Sequence, residues 1–118
     1  MRYVGVLVLA AAALVPVATT SAPAAFVRPT VLTITVGKHG VAGGPKKLNV
    51  RKGAHVVLLV RSAIGKAVHL HGYDIERTIR NRTVPVRFAF IARVTGVFEI
   101  ELQITESQEL KIGQLSVR

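Results

Sequence analysis

Apolar and polar residues alternate with a period of two through most of the chain after residue 30. Leu32, Ile34 and Val36 alternate with threonines, and residues 98–104 repeat the pattern with glutamate and glutamine. A period of two places every second side chain on the same face of an extended strand. Helical spacing is hard to find in this part of the chain. The pattern therefore predicts strands rather than helices.

The strand-like segments are short, and turn residues separate them about every ten positions. Residues 56–60 are apolar on both faces, which is typical of a central, buried strand. Pro85 lies inside a strand-like run and indicates an edge strand or the start of a strand. Seven to eight such segments predict an all-β fold, either an antiparallel β-sandwich or a small barrel.

The first 25 residues have the composition of an export signal. Arg2 supplies a positive charge, residues 3–15 form an unbroken apolar run, and small residues before position 26 fit a cleavage site. Such a run spans roughly 20 Å as a helix, short of the roughly 30 Å hydrocarbon core. We predict a signal helix over residues 1–25, cleaved rather than kept as an anchor. Residues 26–118 would then form one exported domain, which is periplasmic, cell-wall-associated or extracellular.

The absence of cysteine excludes several kinds of chemistry. Disulfides, thiolate zinc sites, iron–sulfur clusters and thiol nucleophiles all require it. Neither Ser62 nor Ser107 lies in a nucleophile motif, and no glycine-rich phosphate loop precedes a helix. Glu99 and Glu101 share a strand face opposite Phe98, so we expect them to face water. The sequence predicts no enzyme activity.

The charge is strongly positive but unevenly distributed. The chain has 16 Lys and Arg against 6 Asp and Glu, a net charge of +10. Residues 26–93 contain all but three of the basic residues, whereas residues 94–118 contain four glutamates. Few aromatic side chains are available to stack on bases, so nucleic-acid binding is not predicted. A solvated basic surface is expected, with anionic cell-envelope material or an unidentified protein as possible partners.

Histidine provides the candidate chemistry. His69 and His71 are two residues apart in a strand-like segment, where positions i and i+2 point to one face. Two such imidazoles can share copper(II), nickel(II) or zinc, and Asp74 could orient or complete the site. The alternative to a metal site is that both histidines are solvated polar residues on a strand face, or that one of them is a hydrogen-bonded core histidine. His39 and His55 are expected to be surface residues.

Residues 68–74, with the sequence VHLHGYD, resemble the V-H-x-H-G-Y-D signature of small exported bacterial cupredoxin-like domains. Residues 48–53, 96–102 and 112–117 resemble other segments of that family, in the same order. The resemblance covers residues 31–118. It implies a cupredoxin-like Greek-key β-sandwich, in agreement with the β-sandwich that the periodicity predicts.

The family's blue-copper centre does not follow from this resemblance. That centre needs two histidines, a thiolate and usually a weak axial methionine. The family's cysteine corresponds approximately to Leu102, and residues 104–111 contain neither histidine nor methionine. We therefore predict a non-catalytic binding or structural module with no cofactor. The alternative is a copper(II)-binding protein for storage or delivery that uses His69 and His71.

Overall fold

Eight strands and no helix make up the regular structure of residues 2–118, the part of the chain that the computed structural model describes. The prediction of an all-β fold is therefore confirmed. The strands are β1 (Thr30–Val36), β2 (Lys46–Val50), β3 (His55–Ser62), β4 (Ala67–Leu70), β5 (Ile75–Thr78), β6 (Val86–Ile91), β7 (Gly96–Gln103) and β8 (Glu109–Val117).

Residues 2–29, ahead of β1, contain neither helix nor strand. The signal helix predicted over residues 1–25 is therefore not confirmed, and its first residue lies outside the described part of the chain. Across residues 2–118, no helix is long and apolar enough to cross a membrane.

The strands form two sheets. The small sheet has the order β1-β3-β6, and the large sheet has the order β2-β8-β7-β4-β5. Two pairings are parallel, β1 with β3 and β2 with β8, so the prediction of an antiparallel sandwich is wrong on this point. Because β1 and β2 lie in different sheets, they cannot form a hairpin. Each pairs instead with a strand that runs in its own direction.

The core lies between the two sheets. The inward side chains Ile34 and Phe88 of the small sheet and Ile100 and Leu102 of the large sheet are completely buried. Burial of such a side chain stabilises a fold by about 1.5–3 kcal/mol. Pro85 directly precedes β6, which is an edge strand, as its position in the sequence predicted. One continuous core therefore fixes both sheets and the faces that they turn outward.

Strand register defines the two outward surfaces, because alternate side chains of a strand point to opposite faces. The small-sheet outer face includes Val31, His55, Val57, Leu59, Arg61, Arg87, Ala89 and Ile91. The large-sheet outer face includes the ionisable residues Lys47, His69, Glu76, Glu99, Glu101, Glu109 and Lys111. The first surface carries no acidic residue, whereas the second carries four glutamates.

Candidate functional site

His69 lies on the large-sheet outer face, one strand in from the edge strand β5. It is part of β4, where it pairs with Glu76 of β5 on one side and Glu101 of β7 on the other. Its chain neighbours Val68 and Leu70 point inward and are completely buried. The sheet and the core therefore hold the His69 backbone in a fixed position.

His71 follows β4 directly and continues its line. Its backbone N–H donates to the carbonyl of Glu99 at 3.0 Å, which extends the pairing with β7 by one residue. The ring centroids of His69 and His71 are 4.2 Å apart. The two histidines thus share a face, as the i and i+2 spacing predicted, and neither is a core residue.

Each imidazole has a carboxylate beside it. His71 Nε2 lies 2.9 Å from Glu101 Oε2, and His69 Nε2 lies 3.5 Å from Asp74 Oδ1. The Glu101 side chain is only 17% exposed, whereas the Asp74 side chain is 99% exposed. Because partial burial weakens screening by water, the contact between His71 and Glu101 is the stronger of the two.

Glu101 was expected to be a water-facing, solubilising charge, and that expectation is wrong. Its carboxylate is mostly covered and accepts a hydrogen bond from the adjacent imidazole when His71 carries its proton on Nε2. The sequence separates the two residues by 30 positions. Only the pairing of β4 with β7 brings them together, so no local pattern could have identified the contact.

A second glutamate, Glu109, shares this site. The hydrogen bond from His71, and then one from Glu109, lowers the pKa of the Glu101 carboxyl. The hydrogen bond to Glu101, and then the negative charge of Glu101, raise the pKa of the Glu109 carboxyl. Two imidazoles and two carboxyl groups therefore interact as one cluster, which we call the His–Glu cluster: His69, His71, Glu101 and Glu109.

A β-bulge helps to aim the glutamates. Glu101 pairs with Lys111 while Ile100 pairs with Gly113, so β8 has one extra residue at this point. Bulges of this kind redirect side chains and are common beside functional sites. Lys111 Nζ lies 3.1 Å from Glu99 Oε1 and so places a positive charge at the border of the cluster.

Gly72 and Tyr73 fix the conformation of the segment that follows His71. Gly72 has φ = +79°, and a Cβ atom there would overlap the Phe98 ring. The Tyr73 hydroxyl donates to the Val94 carbonyl at 2.8 Å, and the Tyr73 ring packs against Phe90 and Phe98. These contacts tie the turn after His71 to the connection between β6 and β7.

The other two histidines lie elsewhere. His39 is exposed in the connection after β1, and His55 is exposed at the start of β3 on the small-sheet outer face. Both positions agree with their interpretation as surface residues. Neither contributes to the His–Glu cluster.

Within residues 2–118, no three or more His, Asp and Glu side chains form a group that could hold a metal ion. At the position expected for the cysteine of a blue-copper centre, Leu102 is completely buried in the core. Searches against models of known protein families and against curated proteins found no match to this chain.

Proposed function

We propose that the chain is an exported β-sandwich of the cupredoxin-like, Greek-key type. Its strand arrangement supports this proposal. Strand β7 lies beside β4, β4 beside β5, and β5 contacts β6 across the edge of the sandwich. In a Greek key the fourth strand of a series returns to lie beside the first. In the series from β4 to β7, β7 lies beside β4 in this way. Here the second and third connections, β5 to β6 and β6 to β7, cross from one sheet to the other, as sandwiches allow.

We propose further that the domain is a non-catalytic binding module without a blue-copper centre. The sequence has no cysteine, and a thiolate is required for that centre. The binding surface is the large-sheet outer face. The observation that carries this proposal is the juxtaposition of His71 with Glu101 at 2.9 Å on a rigid sheet. Glutamates surround this pair in a chain that is otherwise strongly basic.

A visible absorption spectrum of the copper(II)-treated protein tests the first part of this proposal. Thiolate-to-copper charge transfer gives blue-copper proteins their intense colour. We expect no such band, because histidine and glutamate ligands do not produce it. An intense blue absorption that follows addition of one equivalent of copper(II) would contradict the proposal.

A copper(II) site is the second candidate function, for storage or delivery rather than electron transfer. The distance from His71 Nε2 to Glu101 Oε2 supports it. The His71 imidazole and the Glu101 carboxylate would hold the copper(II) ion in place of the proton that they share. The His69 ring is near enough to supply a second imidazole, and imidazole with carboxylate suits copper(II).

Titration with copper(II), followed by electron paramagnetic resonance, tests the second candidate. We expect one retained equivalent at micromolar protein, with a spectrum that shows nitrogen coupling. His69→Ala/His71→Ala should abolish retention. The matched variant His39→Ala/His55→Ala should retain the ion, since it removes the same number of imidazoles from other surfaces. Equal retention by both variants, or none by the unmodified protein, would reject the copper site.

A further inference from the structure

The small-sheet outer face is apolar at its centre. Val31 of β1, Val57 and Leu59 of β3, and Ala89 and Ile91 of β6 form adjacent positions across the three strands. Val31 is 58% exposed and Ala89 is exposed, whereas Val57, Leu59 and Ile91 are half-buried. Adjacent apolar positions on an outer face mark a candidate interaction site.

Positive charge surrounds this apolar centre. Arg61 and Arg87 lie on the same face, and both are exposed. Within residues 2–118 every ion pair uses lysine or histidine, so no arginine there is neutralised by a carboxylate. Residues 26–73 contain no acidic residue at all. Among the arginines of residues 2–118, only Arg77 and Arg118 donate side-chain hydrogen bonds. The guanidinium groups of Arg61 and Arg87 are therefore free to bind an external anion.

The connection from β5 to β6 extends the positive surface. Arg77 Nε donates to the Arg87 carbonyl at 3.3 Å, which ties the edge strand of the large sheet to the edge of the small sheet. Arg80 and Arg82 follow in the exposed connection, and Val84 beside them is 56% exposed. We call Arg77, Arg80 and Arg82 the arginine edge.

We propose that the small-sheet outer face and the arginine edge together dock the protein on a bilayer that contains anionic phospholipid. Arginine binds phosphate oxygens in a bidentate manner, and a negative lipid surface attracts clustered basic residues. The apolar centre favours a bilayer over a soluble polyanion, because only the bilayer also offers an apolar region. A second copy of the chain is disfavoured, since it would bring like charges together.

This docking would point the large-sheet outer face away from the bilayer, because the two faces lie on opposite sides of one sandwich. Like charge between its glutamates and the lipid phosphates favours the same orientation. The inference does not depend on metal binding. Its failure would leave the His–Glu cluster untouched, and failure of the copper titration would leave the docking surface untouched.

Cosedimentation of the full chain with vesicles tests the proposal. Vesicles of phosphatidylglycerol and phosphatidylcholine are compared with vesicles of phosphatidylcholine alone, at low and high salt. Arg61→Gln/Arg87→Gln should lower partition onto the anionic vesicles about 30-fold, at about 1 kcal/mol for each charge removed. Residues 1–25 are present in every variant, so their own affinity for lipid cancels in the comparison.

Lys47→Gln/Lys111→Gln is the matched control, because it removes the same charge from the large-sheet outer face. We expect this variant to lower partition less than threefold. An equal loss in both variants would overturn the proposal, since binding would then follow net charge alone. Val31→Thr, an isosteric change on the strand, should weaken vesicle binding while binding of soluble polyphosphate stays unchanged. No effect of Val31→Thr on vesicle binding would assign the surface to a soluble polyanion and would also overturn the proposal.

Discussion

The two outer faces of this sandwich share one core but differ in almost every chemical property. The large-sheet outer face gathers two imidazoles and four glutamates in a chain of net charge +10. The small-sheet outer face is apolar at its centre, is rimmed by arginine and has no carboxylate. Net charge therefore describes neither face. It conceals a surface rich in glutamate and histidine on one side and a surface rich in arginine on the other.

The largest expected effect comes from the turn that supports the His–Glu cluster. Gly72→Ala would force a left-handed conformation on alanine and press its Cβ into the Phe98 ring. The two costs together should reduce the free energy of unfolding by about 2–4 kcal/mol. Urea denaturation measures this change.

Gly43→Ala is the matched control for that substitution. Gly43 has the same φ of +79° but no atom near its Cβ position, so only the backbone cost of about 1–2 kcal/mol applies. If both variants lost the same stability, the contact between Gly72 and Phe98 would not support the turn. Because Gly72 supports the large-sheet outer face, we expect the amide chemical shifts of β1 and β3, in the small sheet, to change little in Gly72→Ala.

The next effect concerns Glu101 and copper(II). Glu101→Gln keeps the size of the side chain but removes the charge beside His71. Affinity for copper(II) should fall by at least about 10-fold, because the site loses a charged oxygen ligand. Even carboxylates that only support a metal-binding histidine contribute about 10–100-fold. Isothermal titration calorimetry measures it. A Glu106→Gln control, in the exposed turn after β7, should leave the affinity unchanged.

The pH dependence of stability should show the contacts of Glu101 with His71 and with Glu109. The lowered pKa of Glu101 adds stability that is lost as pH falls below the usual glutamate range of about 4 to 5. The raised pKa of Glu109 adds stability that is lost as pH rises through its folded value. The stability contributed by Glu101 and the stability contributed by Glu109 are therefore both present only near the usual glutamate pKa range. Glu101→Gln should therefore flatten the curve of unfolding free energy against pH on both sides, and a parallel curve would show that the carboxyls do not interact.

The smallest expected effect is at Lys111. This lysine pairs with Glu99 at 3.1 Å on a largely exposed surface, and such pairs contribute about 0–1 kcal/mol. Lys111→Gln should therefore leave stability nearly unchanged. Removal of its positive charge should raise copper(II) affinity about twofold through weaker repulsion, and calorimetry at low salt measures this. A decrease in affinity would mean that Lys111 supports the cluster rather than opposing it.

Local patterns in the sequence predicted the strands but not the partners of each strand. The alternation in residues 31–36 and 98–104 located β1 and β7, and the spacing of His69 and His71 placed both rings on one face. The parallel pairings of β1 and β2 were missed because an alternating pattern does not show in which direction a strand runs relative to its neighbour. Glu101 was misjudged for the same reason, since its role depends on the strand that lies beside it.

The proposed copper(II) site places cation binding on the large-sheet outer face and on no other surface. Titration of the ¹⁵N-labelled protein with substoichiometric copper(II) tests it most directly, because the paramagnetic ion broadens nearby amide signals. We expect the amide signals of His69, His71, Glu101 and Glu109 to broaden first, while the amide signals of β1, β3 and β6 stay sharp. Broadening centred on His39 or His55, or uniform broadening across both sheets, would contradict it.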